Sequence, residues 1–157
     1  MVTRMTEKEP NDSIELGMLY VREERYQAAY PPLRQALVRF GEQNVQDIPL
    51  VLLSYYGLCL VALKRDGERG LGFCRRAVNE AGHRTEFYWN LGKAYLLLNK
   101  KTLAIATFRH GLEIDDDRRL SAELAKLGVR SQPLIPFLPR RHFLNRYLGR
   151  LRTRSHS

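Results

Sequence analysis

The chain has 157 residues, 44% of them hydrophobic and 27% charged, enough apolar material for one domain with a real core. Lysine and arginine number 26 against 17 aspartates and glutamates, for a formal net charge of +9; the two cysteines exclude a disulfide scaffold and predict a reduced, cytoplasmic interior. The longest apolar run, Ile48–Leu63, has sixteen residues and stops at Lys64, short of the roughly 20 needed to span a bilayer. At the start of the chain, Met1–Ser13 is polar and lacks a continuous apolar segment, so no export signal is expected and residues 1–11 read as a flexible N-terminus.

From Asp12 onward the apolar residues recur at helical spacing, in three copies of one pattern. The first copy places Ser13, Leu16, Gly17 and Tyr20 ahead of Ala29, Leu33 and Ala36. In the second, Leu53, Tyr56, Gly57 and Leu60 precede Gly70, Cys74 and Ala77; in the third, Tyr88, Leu91, Gly92 and Tyr95 precede Ala104, Ile105 and Phe108. The step from the first small residue to the second is twelve in the outer copies, Gly17 to Ala29 and Gly92 to Ala104. It is thirteen from Gly57 to Gly70, which predicts one added residue at the turn around Asp66 and Gly67. Between copies, Gly17 to Gly57 is 40 and Gly57 to Gly92 is 35, so extra residues are expected in the linker near Phe40–Asp47. Pro31 and Pro32 fall early in the second helix of the first copy, where a local bend is expected and not a break.

Written as aromatic-x2-Leu-Gly-x2-Tyr followed by Ala-x3-Phe, the third copy resembles a tetratricopeptide repeat, a helix–turn–helix unit of about 34 residues. The small residues have a physical reason: Gly92 lets the second helix approach the first, and Ala104 keeps the reciprocal contact close. The expected fold is all-α. Three antiparallel helix pairs, at about 12–46, 47–82 and 85–116, form a short right-handed superhelix within a repeat domain spanning 12–128. Asp115, Asp116 and Asp117 read as the start of a capping helix over 117–128, since carboxylates accept first-turn amides and favour the positive end of the dipole. A calcium loop is the weaker reading, because Arg119 and Lys126 stand where ligands would be.

What the resemblance implies about function is a groove lined by the first helix of each pair. Its concave positions map onto Ile14, Met18, Val21 and Arg22; onto Val51, Ser54, Leu58 and Val61; and onto Glu86, Trp89, Lys93, Leu96 and Leu97. Some relatives clamp a peptide's terminal carboxylate there, but in this chain only Lys93, Asn90 and Arg22 could contribute, so an apolar helix or an extended peptide is the better fit. Trp89, the only tryptophan, is the expected hot spot. The implied role is a non-enzymatic protein–protein interaction scaffold, an adaptor or small chaperone in an assembly. No phosphate loop, nucleophile elbow or paired-acid constellation points to catalysis. His83, His110, His142 and His156 have no spacing that converges on a metal, Cys59 and Cys74 read as small core residues, and no cofactor is expected.

After Gly128 the character changes. Residues 129–157 combine a connector holding Pro133, Pro136 and Pro139 with a segment in which Phe143, Leu144, Tyr147, Leu148 and Leu151 recur at helical steps. Arg140, Arg141, Arg146, Arg150, Arg152 and Arg154 supply +6 of the formal +9. A basic amphipathic C-terminal helix is expected, and three uses of it stay open: packing on the repeats, lying on an anionic membrane surface, or contacting nucleic-acid phosphates, the last being the less favoured of the two binding roles. A peripheral membrane or nucleic-acid-binding module is thus the alternative to the groove scaffold, with the protein then peripheral to the inner face of a membrane. The sequence leaves oligomeric state open.

Overall fold

A computed structural model of the protein describes residues 8–43 and 48–129. Seven helices follow one another in it, with no strand among the described residues. They are α1 (Lys8–Arg22), α2 (Tyr26–Gln43), α3 (Leu50–Ala62), α4 (Gly67–Glu80), α5 (Thr85–Leu97), α6 (Lys101–Ile114) and α7 (Arg118–Lys126). The dominant contacts pair α1 with α2, α3 with α4 and α5 with α6. The pairs then stack through α2 on α3, α3 on α5 and α4 on α5, and α7 closes the row against α6 and α5. Helix α1 begins at Lys8, ahead of the position from which the spacing is regular.

The turn inside each pair is the same device three times. Glu24, Lys64 and Asn99 all sit in the left-handed region, at φ of 57°, 52° and 59°. Each is followed by an amide that reaches back five residues: Arg25 N to Tyr20 O, Arg65 N to Leu60 O, and Lys100 N to Tyr95 O, at 2.9, 3.1 and 2.8 Å. That is a Schellman closure, which satisfies the last carbonyls of the first helix and reverses the chain. A fourth copy ends α7, where Val129 N bonds Leu124 O at 2.9 Å and Gly128 takes φ of 74°. The added residue of the second copy lies where the spacing placed it: three residues join α1 to α2 and α5 to α6, whereas 63–66 join α3 to α4. The additional residue is used, since Asp66 caps α4 by accepting from Arg69 N at 3.1 Å.

Close approach of paired helices rests on small residues. The aromatic ring of Phe108 occupies the space a Cβ on Gly92 would need, and Phe108 is fully buried there. In the second pair the contact is backbone to backbone: a Cβ on Gly57 would lie 2.5 Å from the carbonyl oxygen of Gly70. Glycine at position 70, where the other copies have Ala29 and Ala104, is therefore a response to a tighter crossing of α3 on α4. Helix α3 is the centre of the array. Ten successive residues, Leu52–Val61, are buried, which is why its apolar residues show no periodicity. Pro31 and Pro32 lie deeper in α2 than a first turn, at its sixth and seventh positions, yet α2 continues through them without interruption to Gln43. Two intrahelical amide bonds are forfeited there, and Leu33 and Ala36, both fully buried beyond the prolines, hold the helix to its partner.

Candidate partner-binding face

The first helices of the pairs, α1, α3 and α5, meet each other directly through α1 on α3 and α3 on α5. Along them the residues assigned to a concave lining fall into three classes of exposure. Ile14, Val21, Ser54, Leu58, Val61, Trp89 and Asn90 are buried, and Lys93 nearly so at 9%. Met18, Val51, Glu86 and Leu96 are half-buried, while Arg22 and Leu97 are exposed. Of the eight covered positions, Ile14, Val21, Leu58, Val61 and Trp89 are apolar and Ser54, Asn90 and Lys93 are polar. The basic tail positions Arg140, Arg141, Arg146, Arg150, Arg152 and Arg154 lie outside the described residues.

Two polar groups cross this face. The first is centred on Lys93, whose ammonium donates to Glu24 Oε1 at 2.8 Å and lies 3.7 Å from Glu123 Oε2. Glu24 belongs to the α1–α2 turn and Glu123 to α7, so one lysine of the third pair joins the first pair to the capping helix. Glu123 is itself held by Lys126, at 2.8 Å. The Lys93 ammonium also sits 5.5 Å from the centre of the Trp89 ring, within range of a cation–π contact. The hydrogen bond from Lys93 holds the Glu24 carboxyl below its ordinary range, against a smaller opposing effect of burial.

The second group lies around Tyr55 and Glu86. The Tyr55 hydroxyl points to Glu86 Oε2 at 3.5 Å, and Glu86 is ion-paired with Arg84. Burial and then the Glu86 charge push the Tyr55 phenol above its usual range, and Arg22 beside the hydroxyl pulls the other way. Arg119 follows, in a bidentate pair with Asp117 at 2.6 and 3.1 Å. Asp117 also accepts from the Thr85 hydroxyl at 2.8 Å and from Arg119 N at 2.8 Å, capping α7 and tying its start to the start of α5. Burial opposes charge on Asp117, but these hydrogen bonds outweigh it and hold its pKa at about 2. Between the two groups Asn90 donates to Ser54 Oγ at 2.9 Å, fully buried, and its Oδ1 has no hydrogen-bond partner among the described residues.

Among the described residues no group of three or more His, Cys, Asp or Glu is placed to hold a metal ion. Cys59 and Cys74 are free and buried. Burial pushes the Cys59 thiol up to about 12 and that of Cys74 higher still, so both are held protonated and unreactive; Cys74 Sγ donates to Ser54 O at 3.3 Å. His83 is exposed in the α4–α5 turn and His110 is exposed on α6. Glu24, Tyr55 and Glu123 were not singled out by the sequence pattern, and Arg119 entered it only as a departure from a calcium loop. Asp117 had a local signal as a helix start, but no spacing announces a pairing of Glu24 with Lys93 across 69 residues.

An array of antiparallel helix pairs with repeated turns, a covered central helix and a closing helix defines a helical-repeat protein. Residues 85–118 match the family model for the tetratricopeptide repeat, so the third helix pair, with the start of α7, carries a repeat of that kind. No curated protein matches it in sequence. Among solved structures, the first such domain of Spaghetti (RPAP3), bound to the HSP90 peptide SRMEEVD, is similar at 19% identity and a TM-score of 0.55. That match covers 81% of this chain and 96% of the other. A point mutant of MamA is similar at 17% identity and a TM-score of 0.48, over 72% of this chain and 77% of that one.

Proposed function

We propose that the protein is a non-enzymatic interaction scaffold that holds a segment of a partner protein, helical or extended, against the face formed by α1, α3 and α5, as an adaptor or small chaperone. The observation that carries this reading is the exposed and half-buried apolar edge of that face. Met18, Val51 and Leu96 are only partly covered and Leu97 is 44% exposed. A peptide can lay alternate side chains along such an edge while its backbone meets Arg22, Glu86 and Lys93. The Spaghetti domain, similar in fold, is a repeat array that holds a peptide, which supports the same use here.

The test uses positions that tolerate change. Leu58 is fully buried, so a charge there would report on folding and not on binding. A photo-crosslinking residue at Leu97 or Met18 is compared in the intact chain with one at Leu103, which is 45% exposed on α6. Capture of the same protein from Leu97 and Met18, and not from Leu103, supports the groove scaffold. The same products from all three positions would remove it.

A further inference from the structure

We propose that Glu24, Lys93 and Glu123 form a clasp that holds the partner-binding face shut over Trp89, and that its release is what admits a partner segment. This rests on the scaffold reading for its purpose but not for its existence. The clasp has a bridging geometry: Lys93 Nζ is 2.8 Å from a carboxylate of the first pair and 3.7 Å from one of the closing helix. It therefore joins the two ends of the row through its third pair. Its two halves are unequal. Glu123 is buried and has Lys126 as a second partner at 2.8 Å, so it stays neutralised whatever Lys93 does. Glu24 is about half exposed, at 52% of its side chain, and its hydrogen bond to Lys93 can be exchanged for water at little expense.

The releasable half is thus Glu24, on a turn whose backbone already departs from right-handed helix at φ of 57°. Beside the ammonium that Glu24 holds lies Trp89, only 6% exposed although it occupies a position that the repeat register assigns to the lining. Lys93 sits over this ring. When Glu24 lets go, the ammonium can withdraw from the tryptophan, and an apolar anchor can take its place. A neighbouring carboxylate provides the internal control. Glu23 carries the same charge one residue earlier but pairs with Arg25 at 3.0 Å and takes no part in the clasp.

Acrylamide quenching of fluorescence on the intact chain tests this, because Trp89 is the only tryptophan and its quenching reports its exposure. The Trp89 quenching constant is read as a ratio to that of free tryptophanamide in the same buffer. Glu24→Gln should raise the opened population by about two- to five-fold, the range a partly exposed ion pair supports, and the ratio with it. Glu23→Gln should leave the ratio where it was. The unaltered chain in about 1 M salt, where the Debye length falls to about 3 Å, should move in the direction of Glu24→Gln. An unchanged ratio in Glu24→Gln, or an equal rise in both variants, overturns the clasp. Either result leaves the crosslinking outcome at Leu97 and Met18 untouched, so failure of the clasp and failure of the scaffold are distinguishable.

Discussion

Single residues in this protein carry strain and compensation that substitution can expose. Lys64 adopts φ of 52° at the close of α3, is exposed, and has the role that Gly128 fills at the end of α7. A left-handed conformation costs a non-glycine residue about 1–2 kcal/mol, part of which the greater freedom of glycine in the unfolded chain takes back. Lys64→Gly is expected to stabilise the protein by about 0.5–1 kcal/mol, seen as a higher denaturant midpoint at constant slope; a lower midpoint would show that the lysine side chain contributes something its exposure hides. The buried pair Ser54–Asn90 gives the opposite case. Ser54→Ala removes the partner of Asn90 Nδ2 while Oδ1 has none among the described residues, and should destabilise by about 1–3 kcal/mol. Replacing both, Ser54→Ala with Asn90→Leu, should recover most of that loss, because an apolar pair leaves nothing unsatisfied. A double variant as unstable as the single one would mean that Asn90 has a further role.

At the scale of the element, much of the fold was legible because the signals are local. Gly92 with Ala104 announces a close helix pair, Asp117 announces a helix start, and the thirteen-residue step announced one additional turn residue. Less was legible where three dimensions decide. The lining residues were assigned by register alone, and register does not say that Leu58 and Val21 are fully covered or that Lys93 is shared between two carboxylates far from it in the chain. Pro31 and Pro32 were expected near a helix start, but α2 begins early enough to place them in its second turn. The docking of α7 onto α5 combines both kinds of information. Its cap residue Asp117 is also bonded to Thr85 and Arg119. Held at about 2, below the ordinary aspartate value of about 3.9, its pKa makes a signed prediction. The stabilisation is complete above the unfolded value and is lost as pH falls from about 4 to about 2. Asp117→Asn keeps a good helix cap but loses the charged pair, so it should be less stable at neutral pH and should flatten the fall in urea midpoint over that window. An equal slope in the variant would assign the acid sensitivity to other carboxylates.

On the scale of the whole molecule the question is whether the row behaves as a stack of nearest neighbours. Helical-repeat arrays commonly do: each unit contacts only the next, and a change at one end fades within a repeat or so. Here the two ends are linked, because Glu123 of α7 and Glu24 of the α1–α2 turn share Lys93. Leu120 tests the consequence. It is fully buried at the foot of α7 and packs where a Cβ on Gly111 would come within 2.6 Å of its Cδ1. Leu120→Ala should cost about 2–5 kcal/mol through the cavity it leaves and should loosen α7 first. A nearest-neighbour stack would then show faster amide exchange in α6 and α5, a smaller change in α4, and none in the first pair. The shared lysine predicts another order. The amides of Glu24 and Arg25, which close the first turn on Val21 O and Tyr20 O, should exchange faster than in the parent chain. Meanwhile Gly70 N, bonded to Asp66 O in the pair between, should change less. If exchange quickens monotonically toward α7 and the first turn is unmoved, the ends are independent and Lys93–Glu24 is an ordinary surface ion pair.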